Sequence, residues 1–264
     1  MVGKNPDKEW EKFGKKEPYY GVMTLDKFRK DKLDKKSIDE FIQSGRDHVE
    51  YVLDTIRACF HPGFSPSRAL DFGCGVGRCA IPLANTIPYV VGIDISDSML
   101  EEARKNCIEK SVTNLELVRS WDDLSNVLGE FDLIHSSFVF QHIPPGRGEK
   151  IFRRLVELLT DNGVAVVDFL IHRDVSTVVK IMGLLRKKVP LRNNIANLLY
   201  GKPFFEPLME KNVYCLNSIL KILNETGCGN LHLRLFRNGN QLEVILFFQK
   251  KRDRSVPHET FYNR

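Results

Sequence analysis

Two aspartates and three glycines form the part of this sequence whose types and spacing could do chemistry. An apolar run contains Asp71 near its end, and Gly73, Gly75 and Gly77 alternate directly after it. Glycines in this arrangement let the backbone turn sharply and let a ligand lie against bare main chain. About twenty residues later a second apolar run ends on Asp94, the spacing at which a neighbouring strand offers a carboxylate to a ribose. The pattern predicts that two strand ends hold one nucleoside.

The spacing of the glycines separates two classes of nucleotide site. A dinucleotide fingerprint reads G-x-G-x-x-G, whereas these glycines are evenly spaced and Arg78 occupies the position of the last glycine. An acid two residues before the first glycine, Asp71, would repel a pyrophosphate but could accept hydrogen bonds from an ammonium group. We therefore expect a cationic nucleoside without phosphate, and a dehydrogenase is the weaker alternative.

The strings DFGCGVGR, GIDIS and FDLIHSSFVFQHIPP together resemble the class I S-adenosylmethionine-dependent methyltransferases. The resemblance is closest to the small-molecule type, which carries a QHI element after the fourth strand. It covers residues 68–170 well and the flanking residues more loosely. It implies S-adenosylmethionine as the cofactor, S-adenosylhomocysteine as the product and no metal ion.

The same resemblance implies a set of cofactor contacts. Asp71 would receive the ammonium group, the glycine turn would pass along the methionine part, and Asp94 would accept from both ribose hydroxyls. The backbone at 136–138 would lie beside the sulfonium, whose charge favours carbonyl oxygens. The predicted cofactor-binding residues are Asp71, Gly73, Cys74, Gly75, Gly77, Arg78, Asp94, Ile95, Met99, Trp121, Asp122, Ser136, Ser137, Phe138, Tyr20 and Arg46.

Several members of this set have a second interpretation. Asp122 could recognise the adenine amine together with Trp121, or it could only cap the following helix. Arg78 could pair with the cofactor carboxylate or form a surface ion pair. Tyr20 and Arg46 belong to an N-terminal region that often folds over the cofactor in similar enzymes, but their spacing alone does not establish contact.

One histidine is a candidate for activating the methyl acceptor. His142 lies in the QHI element, and an imidazole titrates near neutral pH, so it could remove a proton from the acceptor. A lone histidine beside prolines could equally be a structural hydrogen-bonding group. The sequence has no Asn/Asp-Pro-Pro-Tyr motif after the fourth strand, which disfavours amino methylation of bases. It also has no Pro-Cys motif of the kind that cytosine-ring methylation requires.

Length and composition are compatible with one α/β domain and an appendage. The 264 residues are 42% hydrophobic, which is enough to bury a full core. The formal net charge is +5. The six cysteines form no C-x-x-C pair and are interpreted as reduced thiols. No apolar run is long enough to cross a bilayer and the N-terminus lacks a signal-peptide pattern, so we expect a cytoplasmic protein without membrane contact. A monomer and a homodimer are both compatible with the sequence.

The elements that must position these residues alternate strand and helix. This rhythm predicts an α/β fold with a doubly wound, mostly parallel seven-stranded sheet of the Rossmann-like methyltransferase type. Strands are expected at 69–72, 89–93, 115–119, 131–136, 164–170, 231–236 and 243–248. Helices are expected from Gly77, after a cap at Ser96, over 122–128, over 148–159 and over 215–226.

Two segments lie outside this repeating core. Residues 1–60 are predicted to be an N-terminal arm that is irregular to residue 36 and continues as a helix capped by Ser37, covering the cofactor site. Residues 61–264 form the predicted methyltransferase domain. Its insertion 171–211 after strand five is too long for an ordinary connection and is interpreted as a helical substrate lid. The residues from 250 onward are expected to form a basic tail.

The lid leaves the identity of the acceptor open. Residues 171–192 contain six Lys or Arg against one acid, Asp174. Such a run is usually a solvated helix face, but it could steer an acidic substrate or a phosphate backbone. The leading hypothesis is methyl transfer to an oxygen or nitrogen of a small or medium-sized molecule. The alternatives are an RNA or protein methyltransferase with a basic lid, and a non-catalytic S-adenosylmethionine-binding regulator.

Overall fold

A computed structural model of the chain describes residues 5–174, 197 and 206–251. The strands are β1 (Arg68–Phe72), β2 (Tyr89–Asp94), β3 (Leu115–Arg119), β4 (Phe131–Ser136), β5 (Leu159–Arg173), β6 (Cys228–Asn238) and β7 (Gln241–Lys250). The helices are α1 (Pro6–Lys16), α2 (Pro18–Val22), α3 (Lys35–Cys59), α4 (Ala80–Ala84), α5 (Asp97–Glu109), α6 (Pro145–Glu157) and α7 (Leu216–Glu225). Every predicted strand is present among the described residues.

The strands form one sheet in the order β3-β2-β1-β4-β5-β7-β6. Strands β1 to β5 run parallel, and β7 pairs antiparallel with both β5 and β6. The predicted doubly wound, mostly parallel seven-stranded sheet is therefore confirmed. The direction of winding reverses between β1 and β4, and this is the place where open α/β sheets bind their ligands.

Apolar side chains cover both faces of the sheet. On one face α6 and α7 pack on the strands through a cluster that includes Phe140, Phe152 and Phe169. On the other face α3 and α4 contribute Val52, Leu83 and their neighbours to a second cluster. Burial of these side chains is the main stabilising contribution to the fold, and it holds the carboxyl ends of the strands in fixed positions.

The N-terminal arm is more helical than predicted. Residues 5–36 contain α1, α2 and a short 3-10 turn at Asp26–Phe28 where irregular chain was expected. Asn5 caps α1 and Pro6 occupies its first position, both ordinary signals for a helix start. The arm is attached to α3 and α5 by a buried cluster that contains Phe13, Tyr19, Tyr20, Phe28, Phe41 and Met99.

Two helix starts were placed wrongly. α3 is capped by Asp34, whose carboxylate accepts from the backbone N–H of Ser37 at 2.7 Å, so Ser37 is already inside the helix. α4 begins at Ala80 rather than Gly77, because Gly77 has a φ of 90° and belongs to the preceding turn. The cap predicted at Ser96 is confirmed, since its Oγ accepts from the N–H of Met99.

Two connections also differ from the prediction. Residues 122–128 form turns and no helix, with Leu124 at a φ of 50°. α6 begins at Pro145, three residues before the expected start, because proline suits the first position of a helix. β5 is longer than the strand expected at 164–170, because it begins at Leu159 and runs to Arg173.

The predicted lid and tail fall largely outside the described residues. Of the insertion 171–211, the structure describes 171–174, 197 and 206–211, and residues 171–173 extend β5. The helical lid and the basic tail beyond residue 251 therefore stay predictions. Among the described helices, none combines the length and apolarity that crossing a bilayer requires.

Gly45 allows α3 to lie directly on the turn that follows β1. A Cβ at Gly45 would lie 1.8 Å from the backbone carbonyl oxygen of Arg78, so no rotamer could relieve the contact. We expect Gly45→Ala to lower the free energy of unfolding by about 2–3 kcal/mol. Gly146→Ala, in α6 with open space around its Cβ position, is the control and should change it by less than about 1 kcal/mol. Urea unfolding measures both variants, and equal midpoints would contradict the predicted contact.

Candidate functional site

A cavity of about 450 Å³ lies at the carboxyl ends of the central strands. Its walls come from the turn after β1, the ends of β2 and β3 and the loop after β4, with α1 and the residues after α2 among the other walls. The predicted site residues that line it are Gly73, Gly75, Asp94, Ile95, Met99, Trp121, Asp122, Ser137, Phe138 and His142. The fold therefore brings together residues from four separate segments at the expected edge of the sheet.

The turn after β1 depends on glycine. Gly73 and Gly75 have φ angles of 73° and 54°, a region that side chains disfavour. A Cβ at Gly73 would lie 2.4 Å from a methyl carbon of Val139. The backbone N–H of Gly73 donates to the carbonyl oxygen of Ile93 at 2.8 Å, which ties the turn to β2. The result is a wall of bare main chain on this side of the cavity.

Asp94 closes the end of β2 and faces this turn. One carboxylate oxygen accepts from the N–H of Gly75 and the other from the N–H of Ser96, each at 2.9 Å. Burial raises the pKa of Asp94 to about 6, although both backbone hydrogen bonds oppose that change. Each carboxylate oxygen can accept a further hydrogen bond, so Asp94 can still receive a pair of ligand hydroxyls.

The loop after β3 is bound to α1 and α6 by ion pairs. Both oxygens of Asp122 accept from the Arg147 guanidinium at 2.6 Å, and no helix follows for Asp122 to cap. Arg147 also donates to Asp7 of α1 at 2.7 Å and 3.1 Å. These carboxylates raise the pKa of Arg147. The three side chains join α1, α6 and the loop at the cavity wall, next to Trp121.

The loop after β4 is held by a buried acid that the sequence did not indicate. The N–H of Phe138, at a φ of 60°, donates to both oxygens of Asp168 at 2.8 Å. Burial raises the pKa of Asp168 to about 7. Because Asp168 lies on β5, thirty residues further on, only tertiary structure brings it beneath Phe138 and Ser137.

His142 is a neutral histidine in the cavity wall. Burial lowers its pKa to about 4. Its Nδ1 lies 2.7 Å from the carbonyl oxygen of Glu210, and a carbonyl only accepts, so Nδ1 carries the hydrogen and Nε2 keeps a lone pair. The ring also lies against the Trp10 ring in a T-shaped contact, with centroids 4.9 Å apart. The arrangement leaves Nε2 able to accept a proton or a hydrogen bond.

The remaining predicted contacts do not line the cavity. Cys74 packs with Ala80 and Leu100, and Gly77 belongs to the turn before α4 with a φ of 90°. The Arg29 guanidinium lies 3.8 Å from the centre of the Tyr20 ring. Arg46 is exposed on α3, whereas Arg78 is buried between the backbone of Ser44 and the hydroxyl of Ser137. Ser136 is buried at the end of β4, and Asp71 is bound by His135.

The sequence placed the arm over the cofactor site and the 171–211 insertion over the substrate, but it did not identify the residues of either segment that line the cavity. Pro6, Asp7, Trp10 and the stretch 21–25 line the cavity, as do Gln141, Met209, Lys211 and Asn238. The amphipathic spacing of Trp10 and Phe13 is the signal that could have placed α1 against the domain. The other residues have no local pattern that predicts their position.

Comparisons with known proteins agree with this architecture. Residues 69–163 match the family described as methyltransferase domain. The aklanonic acid methyltransferase DauC of Streptomyces sp. (strain C5) is 34% identical over 100 residues, 36% of this chain and 44% of that protein. The ubiquinone biosynthesis O-methyltransferase of Rickettsia akari (strain Hartford) is 30% identical over 120 residues, 45% of this chain and 46% of that protein.

A solved structure extends the likeness to almost the whole chain. Magnesium protoporphyrin IX methyltransferase (ChlM) from Synechocystis PCC 6803 with bound SAM superposes with a TM-score of 0.60 and 18% identity. The superposition covers 95% of this chain and 100% of that chain, and it shows a shared fold. The sequence matches are shorter, since the aligned regions span less than half of the two curated relatives.

Proposed function

Because the chain carries a class I S-adenosylmethionine-dependent methyltransferase domain, we propose that it transfers a methyl group from S-adenosylmethionine to an oxygen or nitrogen of a small acceptor. The observation that carries this proposal is Asp94, which lies in the cavity wall and bonds to the backbone of the glycine turn. A carboxylate at the end of β2, beside bare main chain at the end of β1, suits an adenosine without phosphates.

The residues present fit this cofactor. Gly73 and Gly75 line the cavity without side chains, so a ligand can approach their main chain closely. Asp71 has one buried oxygen, Oδ2, with no hydrogen-bond partner among the described residues, which suits an incoming ammonium group. Ile95, Met99 and Trp121 offer apolar surface for the adenine. The cofactor supplies the methyl group on a positively charged sulfur leaving group.

The protein has three tasks in this reaction. The glycine turn and Asp94 would fix the donor, and the loop at Ser137 and Phe138 would border the transferred group. α1 and the residues after α2 cover the cavity and would limit access of water. His142 would accept a hydrogen bond or a proton from the acceptor through Nε2.

The acceptor would lie at the far end of the cavity, between the loop after β4 and the β6-β7 hairpin. Gln141, His142, Lys211 and Asn238 line the cavity and offer polar groups that an acceptor could contact, beside the apolar Met209. The relatives with named substrates support a small molecule, because DauC is an aklanonic acid methyltransferase and the Rickettsia enzyme acts in ubiquinone biosynthesis. Cavity walls that come from several elements also favour a small acceptor over an extended polymer.

Calorimetry separates this function from the alternatives. We expect S-adenosylmethionine and S-adenosylhomocysteine to bind with micromolar or better affinity and NADH to bind at least about 100-fold more weakly. Incubation with a panel of phenols, carboxylic acids and amines, followed by detection of S-adenosylhomocysteine, tests turnover. Binding without turnover on any acceptor would favour the non-catalytic regulator, and preference for NADH would contradict the methyltransferase function.

A further inference from the structure

A chain of three buried side chains connects α3 to the end of β1, behind the cavity. Asp71 and His135 are neighbours in the register of β1 and β4. His135 Nδ1 lies 2.7 Å from Asp71 Oδ1, and His135 Nε2 lies 2.9 Å from His48 Nε2 on α3. Asp71 and His135 are 2% and 1% exposed. Solvent therefore does not compete for these hydrogen bonds.

The partners determine where the hydrogens lie in this chain. A carboxylate can only accept, so His135 Nδ1 carries a hydrogen and donates it to Asp71. A neutral His135 then has a lone pair at Nε2, and His48 must donate its Nε2–H to it. Burial lowers the pKa of His48 to about 2, in agreement with a neutral imidazole. The chain thus delivers one directed hydrogen bond to one oxygen of Asp71.

The other oxygen of Asp71 is the one that needs a donor. Oδ2 is buried and has no hydrogen-bond partner among the described residues, a costly arrangement for a carboxylate. Asp71 lies two residues before Gly73, which lines the cavity. We propose that His135, backed by His48, is a positioning residue that turns Asp71 so that Oδ2 receives the ammonium group of the cofactor's amino-acid part. This inference rests on the proposed function.

The test compares two nucleosides that differ in the group concerned. S-adenosylhomocysteine carries the amino-acid part, and 5′-methylthioadenosine lacks it. Removing the donor with His135→Leu should weaken S-adenosylhomocysteine binding about 10-fold, the value of a lost hydrogen bond to a charged group. Binding of 5′-methylthioadenosine should stay within about 2-fold, because a merely structural defect would weaken both ligands.

Two further variants keep the inference testable if His135→Leu does not fold. His135→Asn places an amide nitrogen near the position of Nδ1 and should restore S-adenosylhomocysteine affinity to within about 3-fold of wild type. His48→Leu removes only the second hydrogen bond and should weaken S-adenosylhomocysteine alone, by about 3-fold. Calorimetry at one pH measures all variants, and thermal melting confirms that each is folded.

Several outcomes would overturn the inference. If His135→Leu weakened the binding of both nucleosides equally, His135 would not act through Asp71. The same conclusion would follow if His135→Asn did not restore the affinity for S-adenosylhomocysteine. Cys79 Sγ lies within 4.8 Å of the ligating nitrogens of His48 and His135. One equivalent of zinc in the purified protein, lost in Cys79→Ser, would assign these histidines to a metal instead. A wild-type chain that binds neither nucleoside would overturn the proposed function itself.

Discussion

Replacing Asp94 by alanine is expected to weaken S-adenosylhomocysteine binding at least about 100-fold. Two hydrogen bonds to a charged acceptor contribute roughly 1.5–3 kcal/mol each, and about 2.7 kcal/mol corresponds to this factor. Unlike the His135 variants, Asp94→Ala should weaken 5′-methylthioadenosine equally, because both ligands carry the ribose hydroxyls. Calorimetry measures the two affinities. An unchanged affinity for either nucleoside would contradict a ribose-binding role for Asp94.

The ionisation of Asp94 adds a pH dependence to the same measurement. Its pKa lies at about 6 in the free protein because the carboxylate is buried. Ligand hydroxyls donate to the carboxylate, so binding favours the ionised form. Affinity should therefore be full above pH 6 and fall by up to about 10-fold per pH unit below it. Asp94→Asn should lack this loss of affinity below pH 6. Any change of affinity that remains near pH 7 would come from Asp168, whose pKa is about 7.

Replacing His142 by glutamine is expected to lower kcat about 100-fold, the lower end of the range for a general base. The lower end applies because the sulfonium leaving group already supplies most of the driving force. The affinity for S-adenosylhomocysteine should stay within about 2-fold of wild type, since His142 is proposed to contact the acceptor and not the cofactor. Initial rates of S-adenosylhomocysteine formation with the best acceptor of the panel give kcat.

The pH profile distinguishes a base from a packing group. With a pKa of about 4, His142 is unprotonated through the neutral range, so the wild-type rate should fall only below about pH 4 to 5 on account of this residue. His172→Gln is the control, because His172 is an exposed histidine paired with Asp174 at 2.8 Å. A kcat for His142→Gln equal to that of His172→Gln would leave His142 as a structural hydrogen-bonding group.

Local patterns were sufficient for the sheet and for the cofactor end of the cavity. Short apolar runs, each ending at a polar or glycine residue, marked the strands, and the parallel sheet brought Asp94 to the glycine turn as expected. The methyltransferase assignment followed from these motifs, and residues 69–163 match the family described as methyltransferase domain. The fold shared with a solved methyltransferase structure agrees with it. The binding roles of the individual residues stay predictions.

Contacts made over long separations in the chain were not predicted. The helix-cap alternative for Asp122 is wrong, since no helix follows it and Arg147 of α6 binds both of its oxygens. Its contact with adenine stays a prediction. Asp168 and His135 had no motif that marked them as partners of the cavity loops. A periodic pattern reports which face of an element is buried, but it does not report which side chain lies opposite.

The N-terminal arm was misread for a related reason. Its charged residues suggested irregular chain, although 6–16 form the helix α1, which buries Phe13 and also Glu9. α1 is fastened by Glu11, which accepts from the hydroxyls of Ser96 and Ser98 at 2.8 Å and 2.7 Å. These hydrogen bonds lower the pKa of Glu11 to about 2, against the opposing effect of partial burial. Charge content alone therefore did not distinguish a docked helix from a loop.

A crystal structure with S-adenosylhomocysteine tests the proposed cofactor site. We expect adenosine in the cavity, with both ribose hydroxyls within about 3.2 Å of the Asp94 carboxylate and the amino-acid part lying over Gly73. We expect the ammonium group beside Asp71 Oδ2. Adenosine bound elsewhere on the chain, or an Asp94 carboxylate that does not touch the sugar, would contradict it.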